Sequence, residues 1–155
     1  MIKKNNLETI KKIIKRYCIS QERCNKDVIE KLNELNVKQE QKEILLNFLI
    51  KQDYLNEMRF TKSFCRGKFR IKKWGRIKII NQLKQKNISI INIEKGLTEI
   101  NNKEYLTVID KLIKKKKKTI KTKADYIINN KTANFLIQKG FESFLVWDRI
   151  KNIKL

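Results

Sequence analysis

The sequence predicts an all-α protein made of three tandem three-helix units, about nine helices in an elongated array. The chain contains no proline and four glycines, and it has no alternating apolar run that could compete with helical periodicity. One helix ending also occurs three times, about fifty residues apart: a leucine, then Asn or Gly four residues later, then an apolar residue. Asn and Gly enter the left-handed backbone conformation at low cost, so they can end a helix. These endings occupy residues 32–37, 83–88 and 136–141, and the apolar residues of the helix after each ending also repeat in register.

The first unit, residues 1–53, contains three predicted helices. Ser20 is a favourable N-cap, so it is expected to begin the second helix, with Ile19 and Cys24 as the hydrophobic staple around it. The third helix is predicted near residues 38–52. The apolar residues predicted to form the stripes of these helices are Leu7, Ile10, Ile14, Tyr17, Cys24, Val28, Leu32, Leu35, Leu45, Leu46, Phe48 and Leu49.

The second unit, residues 54–101, follows the same plan. Asn56 is its predicted first N-cap, with Leu55 and Phe60 as the staple. The helical pattern is interrupted by Trp74 and Gly75, and Ser89 is predicted to cap the third helix.

The third unit, residues 102–155, repeats the plan once more. Tyr105, Ile109 and Leu112 mark its first helix. Residues 114–123 are the one candidate linker, because the consecutive lysines in this segment repel one another and would fray a helix end. The other two helices are marked by Ile127, Ile128 and Leu136, and by Leu145, Val146, Ile150 and Ile153.

The charge of the chain is strongly positive. Lys and Arg number 38 against 16 Asp and Glu, which gives a formal charge of +22, and no histidine is present. The electrostatic field of so large a positive charge favours polyanionic partners and opposes self-association, so a monomer is expected. Part of the lysine content has a second explanation, because a genome rich in A and T would also raise the use of Lys, Asn and Ile.

The composition argues against an enzyme. Without histidine there is no Ser/His or Cys/His arrangement, and the isolated glycines form no phosphate-binding loop. Cys18, Cys24 and Cys65 lack paired metal-ligand spacing and are expected to be buried thiols in a reducing cytosol. Asp27, Glu30 and Glu34 share one side of a helix and are interpreted as a solvated face. The N-terminus does not resemble a secretory signal and no stretch reaches transmembrane length, so a cytoplasmic protein without a membrane partner is predicted. No cofactor or metal is expected either.

The placement of charge indicates where a polyanion would bind. Residues 58–93 contain no acidic side chain, although many cations fall within them. Arginine grips phosphate bidentately, and Trp74 lies in a turn among cations where it could stack. A solvated basic face is the alternative, and the lysine tract 114–118 could equally contact phosphates or be a solvated helix end. The predicted contact residues for DNA or an acidic protein surface are Arg59, Arg66, Lys68, Arg70, Lys73, Trp74 and Arg76, and among them Arg59 is expected to tie its helix to a neighbour.

Two blocks of the second unit resemble the RecX family of bacterial RecA modulators. Residues 54–61, Tyr-Leu-Asn-Glu-Met-Arg-Phe-Thr, are similar to the family's Tyr-Leu-(Asp/Asn)-(Asp/Glu)-x-Arg-Phe-Ala. The second block begins at Gly75 and continues through Leu83 to Lys-Asn-Ile at 86–88, similar to the family's Gly-Pro-x-Arg-Ile, Glu-Leu and Lys-Gly-Ile. The resemblance covers about residues 7–155. The chain departs from the family pattern at Thr61 for alanine, Arg76 for proline, Gln82 for glutamate and Asn87 for glycine.

The resemblance implies a curved arrangement of three three-helix units that binds along the groove of the RecA nucleoprotein filament. There it would contact the DNA phosphate backbone or RecA, restrain filament growth and so lower the ATPase, strand-exchange and coprotease activities, without catalysis or cofactor of its own. The alternative function is sequence-nonspecific DNA or RNA binding without RecA, which the charge of +22 favours. Adhesion to anionic membranes is not predicted, because each helix needs its apolar stripe for its own bundle.

Overall fold

The computed structural model describes residues 7–153, and this part of the chain contains nine α-helices and no strand. The predicted all-α class is therefore confirmed. Residues 1–6 and 154–155, at the ends of the predicted first and third units, lie outside the described residues. The helices are α1 (Leu7–Ser20), α2 (Asn25–Glu34), α3 (Gln39–Lys51), α4 (Glu57–Arg70), α5 (Arg76–Gln85), α6 (Ile90–Leu97), α7 (Asn102–Thr119), α8 (Asp125–Gln138) and α9 (Ser143–Asn152).

The three predicted helix endings have the expected left-handed geometry. The φ angles are 54° at Asn36, 60° at Asn87 and 92° at Gly140. In each case the amide three residues after the last helical residue donates back to a carbonyl of the last turn, as in a Schellman motif. These hydrogen bonds run from Val37 N to Leu32 O (3.1 Å), from Ile88 N to Leu83 O (3.1 Å) and from Phe141 N to Leu136 O (3.2 Å).

We expect replacement of Asn87 by valine to lower the free energy of unfolding by about 1 kcal/mol or more, because a β-branched side chain opposes a left-handed backbone. Denaturant titration of both proteins would measure the change. Asn87→Gly is the matched control, since glycine accepts this φ and should leave stability close to the original value. Equal losses in the two variants would contradict the assigned role of the backbone conformation.

Two further helix ends are left-handed without an Asn or Gly to signal them. Asp53, after α3, has φ 59°, and Lys73, after α4, has φ 54°. The turn at Lys73 is closed by hydrogen bonds from Lys73 N to Phe69 O (3.1 Å) and from Trp74 N to Lys68 O (3.1 Å). This turn places Lys73 at the exposed end of α4, close to the surface described below.

The predicted helix starts are confirmed at two of three positions. Asn56 Oδ1 accepts from Arg59 N at 2.9 Å, and Ser89 Oγ accepts from Asn92 N at 3.3 Å. The prediction at Ser20 is wrong. Its hydroxyl donates back to Tyr17 O at 2.9 Å, so Ser20 ends α1 instead of beginning α2.

The second helix begins instead at Asn25, after Cys24 as N-cap. The carboxylate of Asp27 accepts from Cys24 N at 3.1 Å and so satisfies a donor at the helix start. Ile19 is 62% exposed and does not form the predicted staple.

The lysine tract is helical, which corrects the predicted linker at 114–123. α7 continues to Thr119, and only residues 120–124 connect it to α8. Lysines in a last helical turn interact favourably with the negative end of the helix dipole, which offsets their mutual repulsion. Ile113 is fully buried and Lys116 Nζ lies 4.8 Å from the ring centre of Phe135, so tertiary packing also holds this end of α7 in place.

Apolar side chains form two clusters in the described residues. One is built from α1–α3 with Leu55, and the other from α4–α9 with Cys24. At the centre of the larger cluster, the ring of Tyr105 lies 5.6 Å from that of Phe69 and 5.2 Å from that of Phe141. The last six helices therefore share one core, to which the first three attach.

Close backbone contact joins α5 to the end of α8. Gly75 N donates to Lys139 O at 2.8 Å, and Ile77 N donates to Gly140 O at 3.0 Å. A Cβ atom at Gly75 would lie 2.2 Å from the carbonyl carbon of Gly140, which is closer than Cβ atoms approach non-bonded atoms in real proteins. Only glycine fits here, and we call this contact the Gly75–Gly140 joint.

Polar contacts attach the first three helices to the others. Lys86 Nζ lies 2.7 Å from Asp27 Oδ1, and Lys26 Nζ donates to Gln85 O at 2.8 Å. The interpretation of Asp27 as part of a solvated face is thus wrong, because its side chain is largely covered and ion-paired. Burial by itself raises the pKa of Asp27, but the hydrogen bonds from Lys86 and Cys24 outweigh it and hold the pKa below its usual value.

Candidate functional site

The arginines of the acid-free segment 58–93 are paired with carboxylates that come from elsewhere in the chain. Arg66 Nη1 lies 2.8 Å from Glu99 Oε2. Arg70 Nε lies 3.5 Å from Glu104 Oε1. The pKa of Glu99 is lowered, chiefly by the hydrogen bond from Arg66. These two arginines thus attach α4 to the acidic residues around the start of α7, and part of their charge is neutralised.

Arg59 forms ion pairs and hydrogen bonds that connect α4 to neighbouring segments, as the sequence predicted. Its Nε lies 2.6 Å from Glu22 Oε1 in the α1–α2 connection. Its Nη1 lies 3.0 Å from Asp53 Oδ2, and Nη2 donates to Asp53 O at 2.9 Å. The hydrogen bond with Glu22 raises the pKa of Arg59 despite its partial burial. Arg59 therefore holds α4 against two connections of the first unit.

Arg76 belongs to a network beside the Gly75–Gly140 joint. Its guanidinium carbon lies 3.9 Å from the ring centre of Tyr105, and Nη1 lies 3.5 Å from Glu142 Oε1. The hydroxyl of Tyr105 accepts from Arg76 N at 3.0 Å and donates to Glu142 Oε2 at 2.6 Å. Burial and the hydrogen bond to Glu142 raise the pKa of Tyr105, so the phenol remains a neutral donor. Arg76 Nη2 also donates to Asn102 Oδ1.

Four lysines near the turn after α4 are placed differently from these arginines. Lys68 Nζ and Lys78 Nζ lie 4.9 and 4.7 Å from the ring centre of Trp74, which is half-buried. Lys72 and Lys73 are exposed in the turn after α4. Within residues 7–153, none of these four lysines takes part in an ion pair with a carboxylate. Their charge is therefore available to an external anion.

A groove of about 530 Å³ lies between the turn after α4, the C-terminal half of α7 and the end of α8. Lys139 Nζ donates to Lys72 O at 3.3 Å and so closes one side of it. Burial and the neighbouring ammonium of Lys78 lower the pKa of Lys139, as expected where cations are crowded. We call this feature the basic groove, and its walls include Ile71, Lys72, Lys73, Lys115, Lys116, Phe135 and Lys139.

The basic groove unites two sets of residues that the sequence presented as alternatives. Lys73 comes from the acid-free segment, whereas Lys115 and Lys116 come from the lysine tract. Sequence reasoning did not identify Lys139 or Phe135. Lys139 had a detectable signal, since it precedes the stop at Gly140 as Lys86 precedes the stop at Asn87. Phe135 had none, because an aromatic residue on a helix is most often part of a core.

The cysteines have the environment predicted for them. Cys18, Cys24 and Cys65 are buried and free. Burial raises the pKa of Cys18 and Cys24 to about 11 and that of Cys65 to about 12, so all three remain protonated thiols near neutral pH. The described residues hold no cluster of His, Cys, Asp and Glu suited to a metal ion. In the same part of the chain, every helix is too short or too polar to span a bilayer.

Comparisons with known proteins place both halves of the larger core in one family. Residues 56–97 match the family model "RecX, second three-helix domain", and residues 103–148 match "RecX, third three-helix domain". A "Regulatory protein RecX" from Lactobacillus gasseri is 30% identical over 90 residues, which is 58% of this chain and 33% of the relative. A "Regulatory protein RecX" from Clostridium tetani is 30% identical over 113 residues, which is 72% of this chain and 50% of the relative. The matched part of the chain thus spans between a third and a half of these relatives.

Solved structures show the same fold. A crystal structure of a regulatory protein RecX superposes with a TM-score of 0.85 at 24% identity, covering 95% of this chain and 73% of the other. The crystal structure of RecX from Lactobacillus salivarius superposes with a TM-score of 0.83 at 22% identity, covering 94% of each chain. Helical three-helix repeats are therefore the shared architecture.

Proposed function

Because the chain belongs to the RecX family of regulatory proteins, we propose that it binds the filament that RecA forms on DNA and restrains it. Binding would limit filament growth and so lower the ATPase, strand-exchange and coprotease activities of RecA. The protein would act in the cytoplasm as a monomer, without catalysis or cofactor of its own. The observation that carries this proposal at the level of residues is the basic groove, whose lysines pair with no carboxylate of residues 7–153 and are open to an acidic, DNA-loaded surface.

The arrangement of units supports binding along a filament. We propose the unit boundaries 1–53, 54–101 and 102–155. Several small units laid side by side can each make a weak contact with a repeating partner, and linked contacts add through effective concentration. The Gly75–Gly140 joint, together with the polar contacts of Lys26 and Lys86, would keep the units in a defined relative position.

The seven predicted contact residues divide into two groups on this proposal. Lys68, Lys73 and Trp74 would contact the partner directly, since no carboxylate neutralises the two lysines in the described chain. The four arginines, Arg59, Arg66, Arg70 and Arg76, would mainly orient the surface, with the exposed faces of Arg66 and Arg70 adding to its positive field.

The proposal is tested by the DNA-dependent ATPase of RecA. The rate should fall at protein concentrations well below those needed to coat the DNA, because restraint of a growing filament needs few bound molecules. The matched measurement is direct binding of the protein to the same DNA without RecA. Inhibition that appears only when the DNA is fully coated would contradict regulation of the filament.

A second candidate function is nonspecific nucleic-acid binding without RecA, and the charge of +22 together with the lysine-lined groove favours it. On this alternative, RecA would lose access to DNA only by competition. Inhibition of the RecA ATPase only when the DNA is fully coated would support this alternative.

For either function we expect binding to a single strand to weaken steeply with salt. Within residues 7–153, seven lysines without ion pairs border the surface around the groove, so contact by most of them would neutralise about six phosphates. The slope of log affinity against log salt concentration should then be about −4. Fluorescence titrations at several salt concentrations would measure it, and a slope near zero would contradict an electrostatic surface. The seven lysines are Lys68, Lys72, Lys73, Lys78, Lys115, Lys116 and Lys139.

A further inference from the structure

Lysine ammonium groups alternate with aromatic rings in a row that begins on α4. Lys68 Nζ lies 5.2 Å from the ring centre of Phe64 and 4.9 Å from that of Trp74. Trp74 is also approached by Lys78, whose Nζ lies 4.7 Å from its ring centre. Phe64 and Trp74 are only half-buried, so part of each ring faces solvent.

The row continues across the Gly75–Gly140 joint onto α7 and α8. The backbone of Gly140 packs directly on Lys78, which brings the preceding residue, Lys139, beside it. Lys139 Nζ and Lys116 Nζ lie 5.6 and 4.8 Å from the ring centre of Phe135. This half-buried ring lines the basic groove and also the adjoining depression between α7 and α8.

The lysines of the row have no acidic counterpart, in contrast to the arginines of the same surface. Among residues 7–153, no ion pair includes Lys68, Lys78, Lys116 or Lys139. Their ammonium groups rest instead against aromatic rings, where the attraction is modest at exposed sites. A phosphate could therefore draw these ammonium groups away from the rings at a low cost in free energy, because the lysine side chain is flexible.

We propose that this cation–aromatic row binds single-stranded nucleic acid, with bases stacked on Phe64, Trp74 and Phe135 and phosphates held by the lysines between them. A single strand offers unstacked bases and phosphates together, which matches the alternation of rings and cations. A duplex keeps its bases stacked on each other and could use only the lysines. The inference deepens the proposed function, since it names the polyanion that this surface takes, but it concerns the chain without RecA.

The first test compares two strands of equal length and charge on the full chain. One is oligo-dT, and the other is an abasic phosphodiester strand. Trp147→Phe leaves Trp74 as the sole tryptophan, so that quenching of its emission reports a base stacked on it. We expect oligo-dT to quench Trp74 and to bind about tenfold more tightly than the abasic strand. Equal affinities for the two strands, or binding without quenching, would overturn the inference, and this comparison needs no variant of the row.

The second test removes the rings. The triple variant Phe64→Leu, Trp74→Leu and Phe135→Leu should bind oligo-dT no more tightly than the abasic strand, while its circular dichroism spectrum remains helical. The control is Phe144→Leu, which removes an aromatic side chain that is 77% exposed and lies outside the row, and which should leave both affinities unchanged. Unchanged oligo-dT binding by the triple variant would contradict stacking.

The RecA ATPase assay distinguishes failure of this inference from failure of the proposed function. Suppose that the two strands bind equally and that RecA is inhibited well below DNA coating. Stacking on the cation–aromatic row would then be rejected, and the proposed regulatory function would be retained. Suppose instead that oligo-dT is preferred and that RecA is inhibited only at full DNA coating. Stacking on the cation–aromatic row would then be retained, and the proposed regulatory function would be rejected.

Discussion

Reversing three exposed lysines of the basic groove should greatly weaken the proposed inhibition of RecA. In the variant Lys72→Glu, Lys73→Glu and Lys115→Glu, carboxylates would replace cations that have no ion-pair partner in the described chain, so the groove would repel phosphates or acidic protein surface. We expect the concentration for half-inhibition of the RecA ATPase to rise more than tenfold, and the salt dependence of strand binding to flatten. Helicity by circular dichroism should not change.

The control for this variant is Lys12→Glu, Lys51→Glu and Lys95→Glu, which carries the same change in net charge on exposed positions away from the groove. It should lose little inhibition, because screening limits the reach of exposed charges to about 10 Å at ordinary salt. A loss as large as that of the groove variant would show that total charge, and not the groove, determines binding. The paired arginines are unsuitable for such a test, since reversing Arg66 or Arg70 would also set two carboxylates against each other.

Replacing Gly75 by alanine should destabilise this protein strongly, because the added methyl group has no space. The new Cβ would overlap the backbone of Gly140, which cannot move without breaking the hydrogen bonds from Gly75 N and Ile77 N. We expect a loss of about 3 kcal/mol in the free energy of unfolding, at the upper end of the usual range for overpacking. Denaturant titration would measure it, and hydrogen exchange should show increased opening where α5 meets the end of α8.

Gly67→Ala provides the matched control, because it adds the same methyl group to the same part of the chain. Gly67 lies inside α4 and a Cβ there would meet nothing within 4 Å. Alanine is the better helix former, so this variant should gain about 0.5–1 kcal/mol. If Gly75→Ala were as stable as Gly67→Ala, the joint would not be the constraint that its geometry indicates.

The helix endings could be predicted from sequence because each depends on a few consecutive residues. Asn36, Asn87 and Gly140 end their helices through their own backbone preference, and Asn56 and Ser89 begin theirs through one side-chain hydrogen bond. The same local reasoning was wrong at Ser20, where a hydroxyl can cap a following helix or bond back to its own, and Asp27 provided the competing start.

Other elements needed the packed structure. Lys73 is left-handed although lysine does not favour this conformation, because the surrounding fold imposes the turn. The lysine tract is helical because Ile113 is buried and Lys116 packs on Phe135, and both contacts come from distant residues.

For the candidate site, the sequence by itself determined that the second unit carries an acid-free cationic segment, and with the family resemblance it indicated the class of partner. Only the tertiary structure decided which of those cations remain available. Glu99, Glu104 and Glu142 neutralise arginines from which they are far in sequence, and Lys115 and Lys116 join Lys73 in one groove. The reason is that backbone preferences act over a few bonds, whereas the pairing of charges acts through space and depends on which helices the core brings together.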